Sequence, residues 1–162
     1  KKLILLFKES TKVIFKSVQV PLTTFSISPD GGEKIEVAYW NTGVPHVVLK
    51  TDDWSEEYLF ETGRFLRNHD FFKKTNGANV TFYSLDNESI VQAVTFERGV
   101  EGVTLSCGTG AVAAAAQAVL EGQKSPILVH MPGGDLKVSI KEDFSQATLM
   151  GEARYVYKGE LL

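Results

Sequence analysis

The residues best placed to do chemistry lie in ERGVEGVTLSCGTGAVAAAA, Glu97 to Ala116, around Cys107, the only cysteine of the chain. A helix that starts just after Cys107 puts the sulfur at the positive end of the helix dipole. That position lowers a thiol's pKa and raises its thiolate fraction. Gly108, Thr109 and Gly110 then present backbone N–H groups, the glycines without a Cβ to hold a ligand off, and Thr109 adds a hydroxyl. Such a nest holds a carboxylate or a phosphate. Removing a proton beside a carboxylate needs both parts, a basic atom and an anion clamp that fixes the neighbouring carbon. The bland alternatives are a small apolar residue packing a helix start and a Gly-rich turn serving close packing. CGTG lacks the lysine and the longer glycine spacing of a P-loop, which argues against a nucleotide.

Other candidates surround this motif. Arg98 has the geometry of a carboxylate clamp, and Glu97 can take up a proton or bind an ammonium group; the pair also fits a surface ion pair. His46, in NTGVPHVVL, enters an apolar strand after a Gly-x-Pro turn and fits a proton carrier or a satisfied core histidine. Asn79, at a strand start, could donate and accept hydrogen bonds with a polar substrate or serve only as a turn residue. His69 and His130 have no metal-ligand spacing with each other or with Cys107, so no metal site is expected.

These residues must be held by elements, and alternating or β-branched runs supply them. Strands are expected at LILLF, KVIFKSVQV, KIEVAY, HVVLK, NVTFYSL, SIVQAVTF, PILVHM, DLKVSI, QATLM and RYVYK, with turns at LDNES and PGGD. A first helix is expected over Ser55–Arg67, where Tyr58, Leu59, Phe65 and Leu66 share a face. A second begins near Gly108 and ends around LEG, with Gly122 at its C-terminal stop. The second helix, AVAAAAQAVL, is apolar nearly all round and built of small side chains, so it suits burial where strands approach closely. The expected fold class is α/β (α+β), a mixed curled β-sheet around a central Ala-rich helix. SPDGGE, Ser28 to Glu33, is the best candidate for a linker.

Composition narrows the function classes. The 162 residues suffice for one domain with a real core or two very small ones, and 43% hydrophobic with 23% charged residues is ordinary for a globular protein. Seventeen basic against 20 acidic residues give a net charge of -3, with no Lys/Arg cluster, which argues against nucleic acid. No apolar run is long enough for a membrane span, and KKLILLFKEST lacks the longer apolar core and the cleavage site of a signal peptide. One cysteine forms no internal disulfide, as fits a reducing cytoplasm. The chain begins with Lys rather than Met and is expected to be a fragment or a processed product.

NTGVPHVV, GANVTF, TFERGVEGVTLSCGTGAVAAAAQA and VHMPGGDLKVSI, in this order, resemble the C-terminal half of the diaminopimelate epimerase family. Proline racemases resemble the stretch around the thiol but are not expected to carry the Glu-Arg-Gly lead. The resemblance covers roughly residues 41–162, read as a C-terminal epimerase-like domain; residues 1–40 are read as strands leading from a missing N-terminal domain. It implies interconversion of LL- and meso-diaminopimelate by two cysteines on opposite faces of the α-carbon, with no pyridoxal phosphate, other cofactor or metal. Carried over residue by residue, Cys107 is one acid/base thiol and Glu97 assists it. Glu97 and Arg98 line the substrate pocket, Gly108 and Thr109 bind the α-carboxylate, Asn79 holds a polar end of the substrate, and His46 supports the partner cysteine. Val44 stands where the family often has a substrate-binding Asn, so that contact is not carried over. The family's other cysteine belongs to the N-terminal domain, so the chain alone is expected to be inactive. Its expected partners are diaminopimelate, that N-terminal domain and, in a homodimer, a second copy. The alternatives are a related amino-acid racemase or isomerase and a non-catalytic binding module keeping the fold. A Cys107–His46 thiol hydrolase is a weaker reading, because the motifs supply no third, orienting residue.

Overall fold

The computed structural model describes residues 10–15, 19–28, 34–86 and 90–152. Among the described residues, ten strands and two α-helices follow the chain as β1 (Ser10–Phe15), β2 (Gln19–Ile27), β3 (Ile35–Asn41), β4 (Pro45–Lys50), α1 (Glu56–Arg67), β5 (Asn79–Leu85), β6 (Ile90–Glu97), β7 (Gly102–Thr104), α2 (Gly108–Leu120), β8 (Ile127–Met131), β9 (Gly134–Ile140) and β10 (Ala147–Glu152), with a 3₁₀ turn at Asp70–Thr75. The strands form one mixed sheet in the order β1-β10-β9-β8-β6-β5-β4-β3-β2, with β7 added to β6. β4–β5 and β6–β8 pair in parallel, and the other pairs are antiparallel. Each parallel pair is joined across a helix, as parallel neighbours require.

The strand interiors read as continuous apolar runs because helices cover both faces of the sheet. Ala38, Trp40, Val48, Tyr83, Val91 and Ala93 point to α2, while Val37, Tyr39, Val47, Leu49, Val80, Phe82 and Phe96 belong to the core beneath α1. The sheet wraps α2, as expected from its composition: Ala111 to Ala116 and Ala118 are all fully buried. Methyl side chains are what allow strands to approach this helix from several sides. α2 ends in a Schellman motif, with Gly122 at φ +98°, its N–H bonded to Val119 O and the Gln123 N–H bonded to Ala118 O.

α1 starts at Ser55, whose hydroxyl accepts from the Tyr58 N–H, and its Leu59, Gly63 and Leu66 face inward. Gly63 is required by packing, since a Cβ there would lie 2.7 Å from the Phe96 ring. At the end of α1, Arg67 makes a forked bond to Glu101 and ties the helix to the β6–β7 turn.

Several expectations change. KVIFKSVQV, read as one strand, contains β1 and the start of β2, which lie at opposite ends of the sheet. Residues 16–18 fall outside the described residues, but the chain from Phe15 to Gln19 can reach no further than about 14 Å. The two sheet ends therefore come close, and the sheet is strongly curled. SPDGGE, read as a linker, lies outside the described residues from position 29 on; the strands that flank it, β2 and β3, pair antiparallel with Ile27 opposite Ile35. The sequence pattern predicts neither β7 nor the 3₁₀ turn. The PGGD turn joins β8 and β9 with Met131 opposite Gly134. LILLF, RYVYK and the last three residues of LDNES, 87–89, lie outside the described residues.

Candidate active site

α2 begins at Gly108 with Cys107 as its N-cap, in extended backbone at φ −132° and ψ 105°. The Cys107 sulfur approaches only the Gly110 N–H of the first turn, no other side-chain cap closes the helix start among the described residues, and the first turn holds no acidic residue. The Gly108 and Thr109 N–H groups are thus claimed by no side-chain cap among the described residues, and the dipole there favours a negative group. Gly110 is needed at this mouth for close packing as well: a Cβ would lie 2.3 Å from Thr95 Oγ1 and 3.1 Å from Thr81 Oγ1.

Cys107 is only 7% exposed. Its sulfur lies 3.4 Å from Thr109 Oγ1. Burial pushes the thiol pKa up, opposed by hydrogen bonds from the Thr109 hydroxyl and the Gly110 N–H, raised further by the charge of Glu97 and lowered by the Thr95 hydroxyl. This corrects the expectation of a thiol with depressed pKa. Loss of water around the sulfur costs the charged form more than the helix start returns.

His46 lies at the inner side of β4, opposite Asn79 of β5 in the parallel register. It is fully buried, with Nδ1 2.9 Å from Thr81 Oγ1 and Nε2 2.9 Å from Thr109 Oγ1. Burial, and then the nearby positive charge of Arg98, depress its pKa to about 3. At neutral pH it is an uncharged imidazole that braces Thr109. The Thr42 hydroxyl adds a bond to Thr109 O at 3.1 Å, so both ends of Thr109 are held.

Asn79 accepts the backbone N–H of Arg98 at 2.9 Å and turns its amide nitrogen toward Pro45 O and His46 Nε2, each at 3.4 Å. The Arg98 guanidinium is anchored on the carbonyls of Thr75 and Gly77. Glu97, at the end of β6, accepts from the Thr104 hydroxyl at 2.6 Å, so the short strand β7 fixes the carboxylate whose charge reaches the thiol. The structure thus brings Cys107, Gly108, Thr109, His46, Asn79, Glu97 and the Arg98 backbone to one end of α2. No group of His, Cys, Asp and Glu suited to a metal ion occurs among the described residues. No helix among them is long and apolar enough to cross a membrane.

Sequence reasoning missed Thr81, Thr95, Thr42 and Thr104. Thr81 and Thr95 are fully buried hydroxyls facing each other across β5 and β6 at 3.2 Å. The available signal was strand alternation: each sits at an inward position of an otherwise apolar strand, where a hydroxyl must find a partner.

A family model described as Diaminopimelate epimerase matches residues 38–156. Among curated relatives, the diaminopimelate epimerase of Aquifex aeolicus is 37% identical over 155 residues, covering 90% of this chain and 55% of its own length. That of Methanocella arvoryzae is 38% identical over 154 residues, covering 93% and 53%. The chain spans about half the length of the curated relatives it matches. Among solved structures, a hydroxyproline epimerase from Agrobacterium vitis superposes with a TM-score of 0.71 at 19% identity, covering 89% of this chain and 50% of that one. A probable proline racemase from Agrobacterium radiobacter gives 0.65 at 14% identity, covering 93% and 53%. At these identities the likeness shows the fold.

Proposed function

The chain belongs to the diaminopimelate epimerase family, and from that premise we propose that it supplies one face of a cofactor-independent, two-thiol epimerase acting on LL- and meso-diaminopimelate in the cytoplasm. The observation that carries this reading is Cys107 at the N-cap of α2, beside the Gly108 and Thr109 N–H groups, which no side chain caps among the described residues. The substrate α-carboxylate binds the N–H groups of Gly108 and Thr109, which places the α-carbon over the sulfur. Cys107, as thiolate, takes the α-hydrogen. The electron pair left on carbon spreads into the carboxylate, where the helix start meets the developing charge. A thiol whose pKa is raised by burial and by the charge of Glu97 makes a stronger base once ionised, and it is in this way that Glu97 assists Cys107.

His46 and Asn79 hold this arrangement in place: His46 braces Thr109, and Asn79 links His46 to the turn carrying Arg98. In this reading residues 41–162 are the epimerase-like domain; among the described residues, the strands before position 41 share one sheet with those after it. Inversion needs a second acid/base group on the opposite face of the planar carbon. In the two-thiol reading that group is a second cysteine, and since the sequence holds one, it comes from outside these 162 residues.

The test uses the single thiol. Diaminopimelate is expected to protect Cys107 from iodoacetamide, lysine is expected to protect it less, and the purified chain is expected not to epimerise LL-diaminopimelate. Turnover by the chain alone within the ordinary enzymatic range, about 1–10³ per second, would overturn the one-thiol reading. Equal alkylation with and without diaminopimelate would overturn the binding role.

A further inference from the structure

The β8–β9 turn, MPGGD from Met131 to Asp135, reaches across to the segment that delivers Cys107 to its helix. The Gly133 N–H donates to Leu105 O at 2.6 Å, and Ser106 Oγ lies 4.0 Å from Met131 Sδ. Leu105 and Ser106 link β7, fixed on β6, to the N-cap of α2. Both side chains are exposed, Leu105 at 72%, so neither roots the link in the core. The turn holds it by the main chain.

The hairpin is suited to that task. Met131 pairs with Gly134 and His130 with Asp135, which leaves Pro132 and Gly133 as a two-residue loop. Pro132 has no N–H, and the N–H of Gly133 lies outside the ladder, where it can serve a second segment. His130 and Asp135 share a side-chain hydrogen bond across the next pair, and Met131 is buried in the same core cluster as Cys107. The support is therefore stiff and seated beside the thiol.

Gly133 is required for closeness rather than for backbone freedom. Its neighbour Gly134 takes φ +136°, whereas Gly133 is not left-handed. A Cβ on Gly133 would lie 2.8 Å from the Leu105 carbonyl oxygen, 3.1 Å from the carbonyl carbon and 3.2 Å from the Leu105 Cβ. The two nearest atoms are main chain, so no rotamer relieves the contact and the chain leading to Cys107 has to move. A Cβ on Gly134 meets nothing within 4 Å.

We propose that Gly133 is a positioning residue for Cys107: its N–H, brought close by the missing side chain, sets how Leu105 and Ser106 enter the N-cap and so where the sulfur stands relative to the Gly108 and Thr109 N–H groups. Its catalytic meaning rests on the epimerase reading, in which thiol and carboxylate site must keep their spacing. The position of the sulfur is read without substrate, because iodoacetamide alkylation of a chain with one cysteine reports that sulfur alone.

Gly133→Ala is expected to push Leu105 outward and bring the sulfur out of its buried site. The alkylation midpoint should then fall by about half a pH unit, roughly threefold faster labelling at a fixed pH below it. Glu97, whose charge acts on the thiol, is the same in every variant. Gly134→Ala strains the same turn at its left-handed residue without touching Leu105, so it is expected to lower stability in urea and keep the wild-type alkylation profile. An unchanged or slower profile in folded Gly133→Ala overturns the proposal, as does an equal change in Gly134→Ala, which would make the effect one of general loosening. Where a variant does not fold, hydrogen exchange in the wild type decides: a protected Gly133 amide upholds the proposal, and exchange at the rate of a free loop amide overturns it. Failure of diaminopimelate to protect the thiol counts against the epimerase reading and leaves these measurements intact, so the two failures are distinguishable.

Discussion

His46 makes the chain's stability depend on acid, and the size of the effect follows from its surroundings. Its folded pKa is about 3 against an ordinary 6.5, because the fully buried ring has no water to solvate a charge and faces the positive charge of Arg98. The unfolded chain therefore binds a proton that the folded chain refuses throughout the interval between those values. Unfolding free energy rises with pH wherever the unfolded state holds more protons, so the contribution of a neutral His46 is complete above about pH 6.5 and is lost as pH falls toward about 3. Each unit is worth 1.36 kcal/mol, so moving from neutral pH to about pH 4.5 removes roughly 2.7 kcal/mol. That is a large share of the stability of a typical domain, about 5–15 kcal/mol. The lowered carboxyl pKa values of Asp53, Asp70, Glu101 and Asp143 act in the same direction, so the informative quantity is a difference between two proteins. Urea unfolding of the wild type and His46→Gln at neutral pH and near pH 4.5 measures it. The variant is expected to be less stable at neutral pH and to lose about 2.7 kcal/mol less on acidification. Equal losses in the two proteins would refute the assignment of a buried neutral imidazole.

Other perturbations probe the same end of the molecule. Gly110→Ala gains up to about 1 kcal/mol in helix propensity but drives a methyl into Thr95, so urea titration is expected to give a net loss within the overpacking range of about 1–3 kcal/mol, and thiol alkylation to change with it. Ala114→Leu overpacks the fully buried helix and is expected to cost about 1–3 kcal/mol or more by the same measurement, whereas a surface helix would tolerate it. Glu97→Gln removes a negative charge that raises the thiol pKa while keeping an acceptor for Thr104, so alkylation without substrate is expected to speed up at mildly alkaline pH; slower labelling would contradict the placement of Glu97.

Where the sequence carried a local signal, the elements were legible. Ser55 announced the start of α1, Gly122 stopped α2, and NVTFYSL matches the bounds of β5 because its β-branched and aromatic residues run together with no Gly or Pro inside. The alanines announced a buried helix because nothing in them could serve a solvated face. The break between β1 and β2 was not legible: no Gly or Pro punctuates KVIFKSVQV, and the partners that pull its halves apart, β10 and β3, lie elsewhere in the chain. The site divides in the same way. Motif spacing located the thiol and its helix start, but the direction of the thiol's pKa depends on how many walls surround it, which is a property of the folded state. The threonines escaped because a hydroxyl in a strand looks the same in sequence whether it faces water or a histidine.

The near meeting of the two sheet ends has a kinetic consequence. Among the described residues β1 pairs only with β10, so that ladder closes a loop of about 130 residues, while every other neighbour pair is closer in sequence. Such a contact is entropically expensive until the intervening strands have already formed, so β1 should dock last in folding and detach first in local opening. Hydrogen exchange would then find the outermost ladder trading protons with solvent while the strands wrapped round α2 remain closed. The thiol end of the helix, seated in those inner strands, would keep its shape while the rim of the sheet breathes.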